Sequence, residues 1–130
     1  MPLHSLILAA FLLGATPALA QGLSPMRQDF ATYADQFAIQ LKARNPYPAT
    51  QRFSVSVFEA DWRRSEACAV TPVLTVPPGE TVSFLVAGET DAREARTIYV
   101  CVLSAPFADG NGASVRGEVC GKYRIMQRRL

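Results

Sequence analysis

From residue 37 onward the chain alternates apolar and polar side chains with a period of two, the mark of half-buried β-strands. Phe37, Ile39, Leu41 and Ala43 share one face of the clearest segment, with Gln40, Lys42 and Arg44 on the other. Phe53, Val55 and Val57 alternate with Arg52, Ser54 and Ser56, and Val82, Phe84 and Val86 with Thr81, Ser83 and Leu85. Ile98, Val100 and Val102 hold one phase across residues 97–103. These inward phases make the expected core. A shorter run, Val73-Leu74-Thr75-Val76, is stopped by Pro77-Pro78-Gly79, and residues 23–33 and 115–126 supply a first and a last strand of weaker pattern. Turns fall at Asn45-Pro46-Tyr47-Pro48 and between Phe107 and Gly112. The strands at 73–76, 81–87 and 97–103 have no helix-length insert between them, so one antiparallel sheet covered by the other strands is expected. Glu59 to Glu66, charged around Trp62, reads as a connection, with a short helix at 61–69 as the alternative, and Asp91 and Glu94 are spaced to cap one helical turn. About seven short strands with regular turns predict an all-β chain, an immunoglobulin-like antiparallel β-sandwich.

The amino-terminal residues stand apart from this pattern. The apolar run Leu6 to Leu13 is too short to span a bilayer, which takes about 20 residues. Thr16-Pro17 breaks it, and Ala18-Leu19-Ala20 is a small-x-small cleavage site. A secretory signal peptide over residues 1–20 is therefore expected, although its leading segment carries no Lys or Arg. The mature chain, 21–130, has the size of one domain. It has no second apolar segment of membrane length.

Charge and cysteine content narrow the function classes. Thirteen basic residues against eleven acidic ones leave a net charge of +2, too balanced for a nucleic-acid binder, and no basic run exceeds Arg63-Arg64 or Arg128-Arg129. The one histidine, His4, lies in the signal segment, and Cys68, Cys101 and Cys120 form no C-x-x-C. The usual zinc sets and the thioredoxin-type motif are thereby removed, and neither metal nor cofactor is expected. No nucleophile sits beside a recognisable base, and the acids flanking Trp62, Glu59 and Asp61, read as solvated, so an enzyme is not expected.

In an oxidising compartment two of the three cysteines can bond. Residues 97–103 and 115–126, joined by a turn-rich loop, should form an antiparallel hairpin. Placing Cys101 opposite Cys120 sets Val102 opposite Val119 and Tyr99 opposite Lys122. Directly opposed residues approach closely enough to be bridged, which favours Cys101–Cys120 and leaves Cys68 free. Cys68–Cys101 and Cys68–Cys120 stay open as alternatives.

Several short motifs, in order, extend through nearly the whole mature chain. Leu23-x-Pro25-x-Arg27 lies in the first strand, and Ile39-x-Leu41-x-Ala43-Arg44-Asn45 ends the second on an Asn. Val70-Thr71-Pro72 precedes Leu74-x-Val76-x-Pro78-Gly79, Arg93-Glu94 or Arg96 precedes Ile98-Tyr99-Val100, and Ala105-Pro106 closes that strand before Lys122. In this arrangement the chain resembles the N-terminal domain of periplasmic pilus-assembly chaperones of the chaperone–usher pathway. The resemblance implies a periplasmic protein, a monomer when free, that holds a pilus or fibre subunit and meets an usher. It implies strand donation from the last strand through Val115, Val119, Tyr123 and Ile125, the subunit's own sandwich lacking a strand. It also implies a carboxylate anchor for the subunit's C-terminus at Arg27 and Lys122, with Arg124 the alternative to Lys122, a guanidinium and an ammonium being suited to a terminal carboxylate.

The chain departs from the family in three respects. The second sandwich domain of such chaperones has no counterpart in these 130 residues. Gly117 and Gly121 fall in the same phase as the lending residues, leaving two client pockets unfilled and weakening the strand. The interval from Arg93-Glu94 to Pro106 differs by about one residue from the family's. A second class therefore stands beside the first: an exported sandwich that docks to a protein partner without lending a strand. An exposed, partly apolar edge would favour the chaperone, a polar one the docking module.

Overall fold

A computed structural model describes residues 21–92, 94–108 and 112–129. Residues 1–20, where a signal peptide is expected, the tip of the 107–112 turn, Arg93 and Leu130 lie outside the described residues. Two sheets face each other. One has the order β1 (Gly22–Ser24), β3 (Gln36–Arg44), β7 (Thr81–Glu89), β5 (Cys68–Ala69). The other has the order β2 (Arg27–Thr32), β11 (Glu118–Gln127), β8 (Ala95–Ser104), β4 (Gln51–Glu59), β6 (Val73–Val76). A two-residue ribbon, β9 (Phe107–Ala108) with β10 (Ser114–Val115), extends from one end. The architecture is the expected immunoglobulin-like sandwich, and every strand read from the alternation is present.

Three expectations are corrected. The strands at 73–76, 81–87 and 97–103 do not form one sheet, because β6 and β8 lie in the five-stranded sheet and β7 in the other. Each has one apolar face, and dividing them between layers brings those faces together. The connection after β6 is held by Asn45, fully buried, whose amide donates to the Val76 and Ala49 carbonyls at 2.8 Å each. Gly79, at φ 71°, donates its N–H to the Asn45 carbonyl at 2.8 Å. No helical turn forms at 61–69 or around Asp91, where Asp91 and Ala92 instead take left-handed backbone at φ 56°. The first and last strands are each broken. Pro25, lacking an N–H, interrupts the ladder, so β1 pairs with β3 while β2 crosses to the other sheet and runs parallel to β11. The last strand breaks at Arg116 and Gly117, separating β10 from β11.

The core contains the expected Phe37, Ile39, Leu41, Phe53, Val55, Val57, Phe84, Val86, Ile98, Val100 and Val102. Val82 is only partly buried against it. Leu23, Leu74, Val76, Tyr123 and Ile125 complete it. Arg96, 4% exposed, is the buried charge of the fold. It pairs with Glu59 on β4, donates to the Glu89 carbonyl at the end of β7, reaches Ser65 Oγ at 3.1 Å and meets Asp91 at 3.4 Å. A buried guanidinium is tolerable only with such a full set of acceptors. Here it ties the ends of strands from both sheets to two loops, the one that carries Ser65 and the one that carries Asp91.

Cys101 and Cys120 form the disulfide, with Cα atoms 4.0 Å apart, and Cys68 is free and exposed. Val102 faces Val119 and Tyr99 faces Lys122, the register read from the sequence. Two measurements check this packing. Ile98→Ala is expected to lower unfolding free energy by about 2–5 kcal/mol in urea titrations. Replacing Cys101 and Cys120 together by Ser is expected to lower it by about 2–4 kcal/mol, and a change confined to reduced protein would contradict the bonded pairing.

Candidate functional site

The register of three ladders sets four residues in one row across the outer face of the five-stranded sheet. Arg27 on β2 faces Lys122 on β11, Lys122 faces Tyr99 on β8, and Tyr99 faces Phe58 on β4. Directly opposed residues share a face, so the two cationic residues stand side by side on neighbouring strands, whose backbones are about 4.8 Å apart. Both are exposed. Arg124 lies one row further on, opposite Asp29, and lines an open cleft of about 680 Å³ with Tyr33, Glu94 and Arg128. Ion pairs among the described residues involve only Arg63 with Asp61 and Arg96 with Glu59 and Asp91, so Arg27, Lys122 and Arg124 take part in none.

A kink positions Arg27. Tyr123 is fully buried, and its phenol donates a hydrogen bond to the Pro25 carbonyl. Lys122 N–H donates to the Met26 carbonyl at 2.9 Å, starting the parallel ladder that aligns Arg27. Gly121 makes room for this arrangement, since a Cβ there would stand 2.2 Å from the Tyr123 hydroxyl and 2.9 Å from the Met26 carbonyl. Gly117 likewise receives the Gln21 amide and the Tyr47 hydroxyl. The two glycines are thus places where the chain's own side chains enter, and only a glycine–x–aromatic spacing on one strand face hints at it.

The residues expected to be lent divide into two groups. Tyr123 and Ile125 point inward and fill the core. Val119 is partly buried against that core, and Val115 sits in the ribbon opposite Phe107. The strand edge itself is half covered: β2 pairs with β11 only from Lys122 onward, and on that side no strand of the described residues pairs with 118–121. Hydrogen-bonding direction alternates along a strand, so the main-chain groups of Glu118 and Cys120 turn to the same side as those of Lys122. Met26, 46% exposed, adds an apolar side chain beside this edge.

An aromatic cluster continues the row and was not singled out from the sequence. Trp62 stacks on Tyr99 with ring centroids 4.1 Å apart and planes at 14°, and lies 5.9 Å from Phe58. The available signal was that Phe58 occupies the outward phase of the otherwise polar alternation Arg52, Ser54, Ser56. The one group of metal-ligand residue types among the described residues is Cys101, Glu118 and Cys120, whose sulfurs are already bonded to each other.

No family model matches the chain, and no curated protein sequence does. Solved structures do. A Salmonella enterica structure of the SafA pilin in complex with the SafB chaperone gives a TM-score of 0.68 at 16% identity, covering 87% of this chain and 57% of that one. The E. coli chaperone DraB gives 0.69 at 13% identity, covering 86% and 57%. The chain therefore has the fold of pilus-chaperone N-terminal domains and spans somewhat over half the length of those chaperones. The PapD-like domain 7 of human CEP192 matches end to end, covering 100% and 98% at a TM-score of 0.65 and 8% identity.

Burial pushes the Tyr123 phenol up to about 12. A proton held more tightly in the folded chain than in the unfolded one stabilises the fold below the unfolded value near 10, and that stability is lost as pH rises toward 12. Urea midpoints are expected to fall between about pH 10 and pH 12, and Tyr123→Phe is expected to flatten that decline while lowering stability at neutral pH. An unchanged alkaline slope in the variant would show that the phenol carries no such coupling.

Proposed function

We propose that this protein is a periplasmic chaperone-like protein that binds a fibre or pilus subunit at the half-covered edge of β11. The subunit's strand adds to residues 118–121, with Val115 and Val119 offering the apolar side chains and main-chain hydrogen bonds supplying most of the attachment. Arg27 and Lys122 take the subunit's terminal carboxylate. The observation that carries this reading is their direct pairing across β2 and β11, exposed and without an ion-pair partner among the described residues, at the point where the open edge begins. Arg124 is the poorer anchor, because Asp29 stands opposite it. The likeness to chaperones solved with a pilin supports the class of partner. No helix of the described residues is long and apolar enough to cross a membrane.

One observation favours the docking module as second reading. Tyr123 and Ile125 are consumed by the chain's own core, and Gln21, Tyr47 and Tyr123 occupy the space above the two glycines. On that reading a partner sits against the edge and outer face without receiving side chains.

Co-purification from periplasmic extract followed by single substitutions decides between them. Arg27→Ala and Lys122→Ala are each expected to weaken capture of a subunit about ten- to a hundredfold, the worth of a charged hydrogen bond, with the unfolding midpoint unchanged. Undiminished capture in both variants, and also in Val119→Asp, would favour the docking module.

A further inference from the structure

Trp62 stands where sequence economy would place glycine. Glu59 N–H donates to the Arg63 carbonyl at 2.8 Å, Trp62 N–H donates to the Glu59 carbonyl at 2.9 Å, and Phe58 bridges Arg64. The loop between these strands is three residues long, and Trp62, its last, has φ 66°. Such loops ordinarily give the left-handed position to glycine, since a side chain there is strained. Strained non-glycine residues persist where the surroundings over-determine them, and they cluster at functional sites. Here Asp61 accepts from Arg63 N–H at 3.1 Å and pairs with the Arg63 guanidinium at 2.5 Å, pinning the turn.

The strain lays an indole flat on Tyr99 yet leaves Trp62 53% exposed. Covering Tyr99 does not require that exposure. Tyr99, on which the indole stacks, is one strand away from Lys122 and in the same row as Arg27, and about half of Trp62 stays open to solvent there. Adjacent strands are about 4.8 Å apart, so with a carboxylate over the two cations the side chain of the residue that bears it is within reach of β8.

We infer that Trp62 and Tyr99 form a ledge for the last side chain of the bound chain, an aromatic one, while Arg27 and Lys122 hold its carboxylate. This rests on the carboxylate reading of Arg27 and Lys122 and extends it: the occupant is a chain end that is anionic and aromatic together. Charge complementarity supplies the first property and the open indole the second. The two cations also disfavour an end that is basic, and a small end gains nothing from the aromatic surface.

The test uses the purified protein and three synthetic octapeptides of alternating threonine and valine, ending in tyrosine acid, alanine acid or tyrosine amide. The tyrosine acid is expected to bind about three- to tenfold more tightly than the alanine acid, the range of one aromatic pairing. Trp62→Gly, which suits the left-handed backbone, and Tyr99→Thr, which suits a strand, are each expected to erase that ratio and to leave the acid-over-amide ratio intact. Trp62→Phe is expected to restore it. Because the chain has a single tryptophan, acrylamide quenching of its fluorescence reports the ledge directly and should fall on saturation with the tyrosine acid. A tyrosine preference that survives both ledge variants, or quenching unchanged at saturation, overturns the ledge alone. Equal affinity for tyrosine acid and amide overturns the carboxylate reading and this inference with it. Failure of all three peptides to bind at millimolar concentration overturns both.

Discussion

The register of β8 is the constraint on which the rest of the structure depends. This strand is hydrogen-bonded on both sides, to β4 and to β11, and β11 in turn receives β2. A strand's side chains alternate between faces, so a slip of one residue would turn Ile98, Val100 and Val102 outward and Tyr99 and Cys101 inward. The Cys101–Cys120 bond fixes that register covalently beside the hydrophobic phase that specifies it. Every neighbouring row follows, including the one that sets Arg27, Lys122, Tyr99 and Phe58 in line.

Within this frame the carboxyl-terminal strand has two duties that period two makes incompatible at a single residue. Inward side chains such as Tyr123 and Ile125 close the sandwich, and the proposed function leaves the partly buried Val119 and the main-chain edge for a partner. Tyr123 is committed to the first duty, yet its phenol bonds the Pro25 carbonyl and so sets where β2 begins. A core residue thereby decides how far the edge is open and which cation stands beside Lys122.

Much of this was legible in the sequence. The alternation specified the long strands β3, β4, β7 and β8 because each buries one face, while the two-residue β5 and β9 left no such pattern, and the opposition of residues in an antiparallel hairpin set the disulfide register. The same rule could not place β2 against β11, since a parallel pairing across the sandwich depends on a break at Pro25 that alternation does not encode. The division of β6, β7 and β8 between sheets was likewise hidden: strand pattern reports a buried face and not which layer supplies it. Gly117 and Gly121 read as gaps because nothing in their spacing says that Gln21, Tyr47 and Tyr123 will enter. Arg96 was placed only as a candidate for a motif position, because its burial depends on Glu59, Glu89, Ser65 and Asp91 meeting from distant parts of the chain. Trp62 was absorbed into a charged connection for a similar reason, its partner Tyr99 lying on another strand.

The half-covered edge of β11 also bears on solubility. An open sheet edge invites like chains to pair, and long flat edges seed aggregation. Here β2 closes the edge from Lys122 onward and the first strand turns away at Pro25, so a second copy would find only a short ladder bordered by charge. A partner with a vacant strand position of its own gains far more from the same few residues than an identical copy does. Under the proposed function the break in the first strand acts as a filter, favouring a neighbour that lacks a strand over a second copy of this chain.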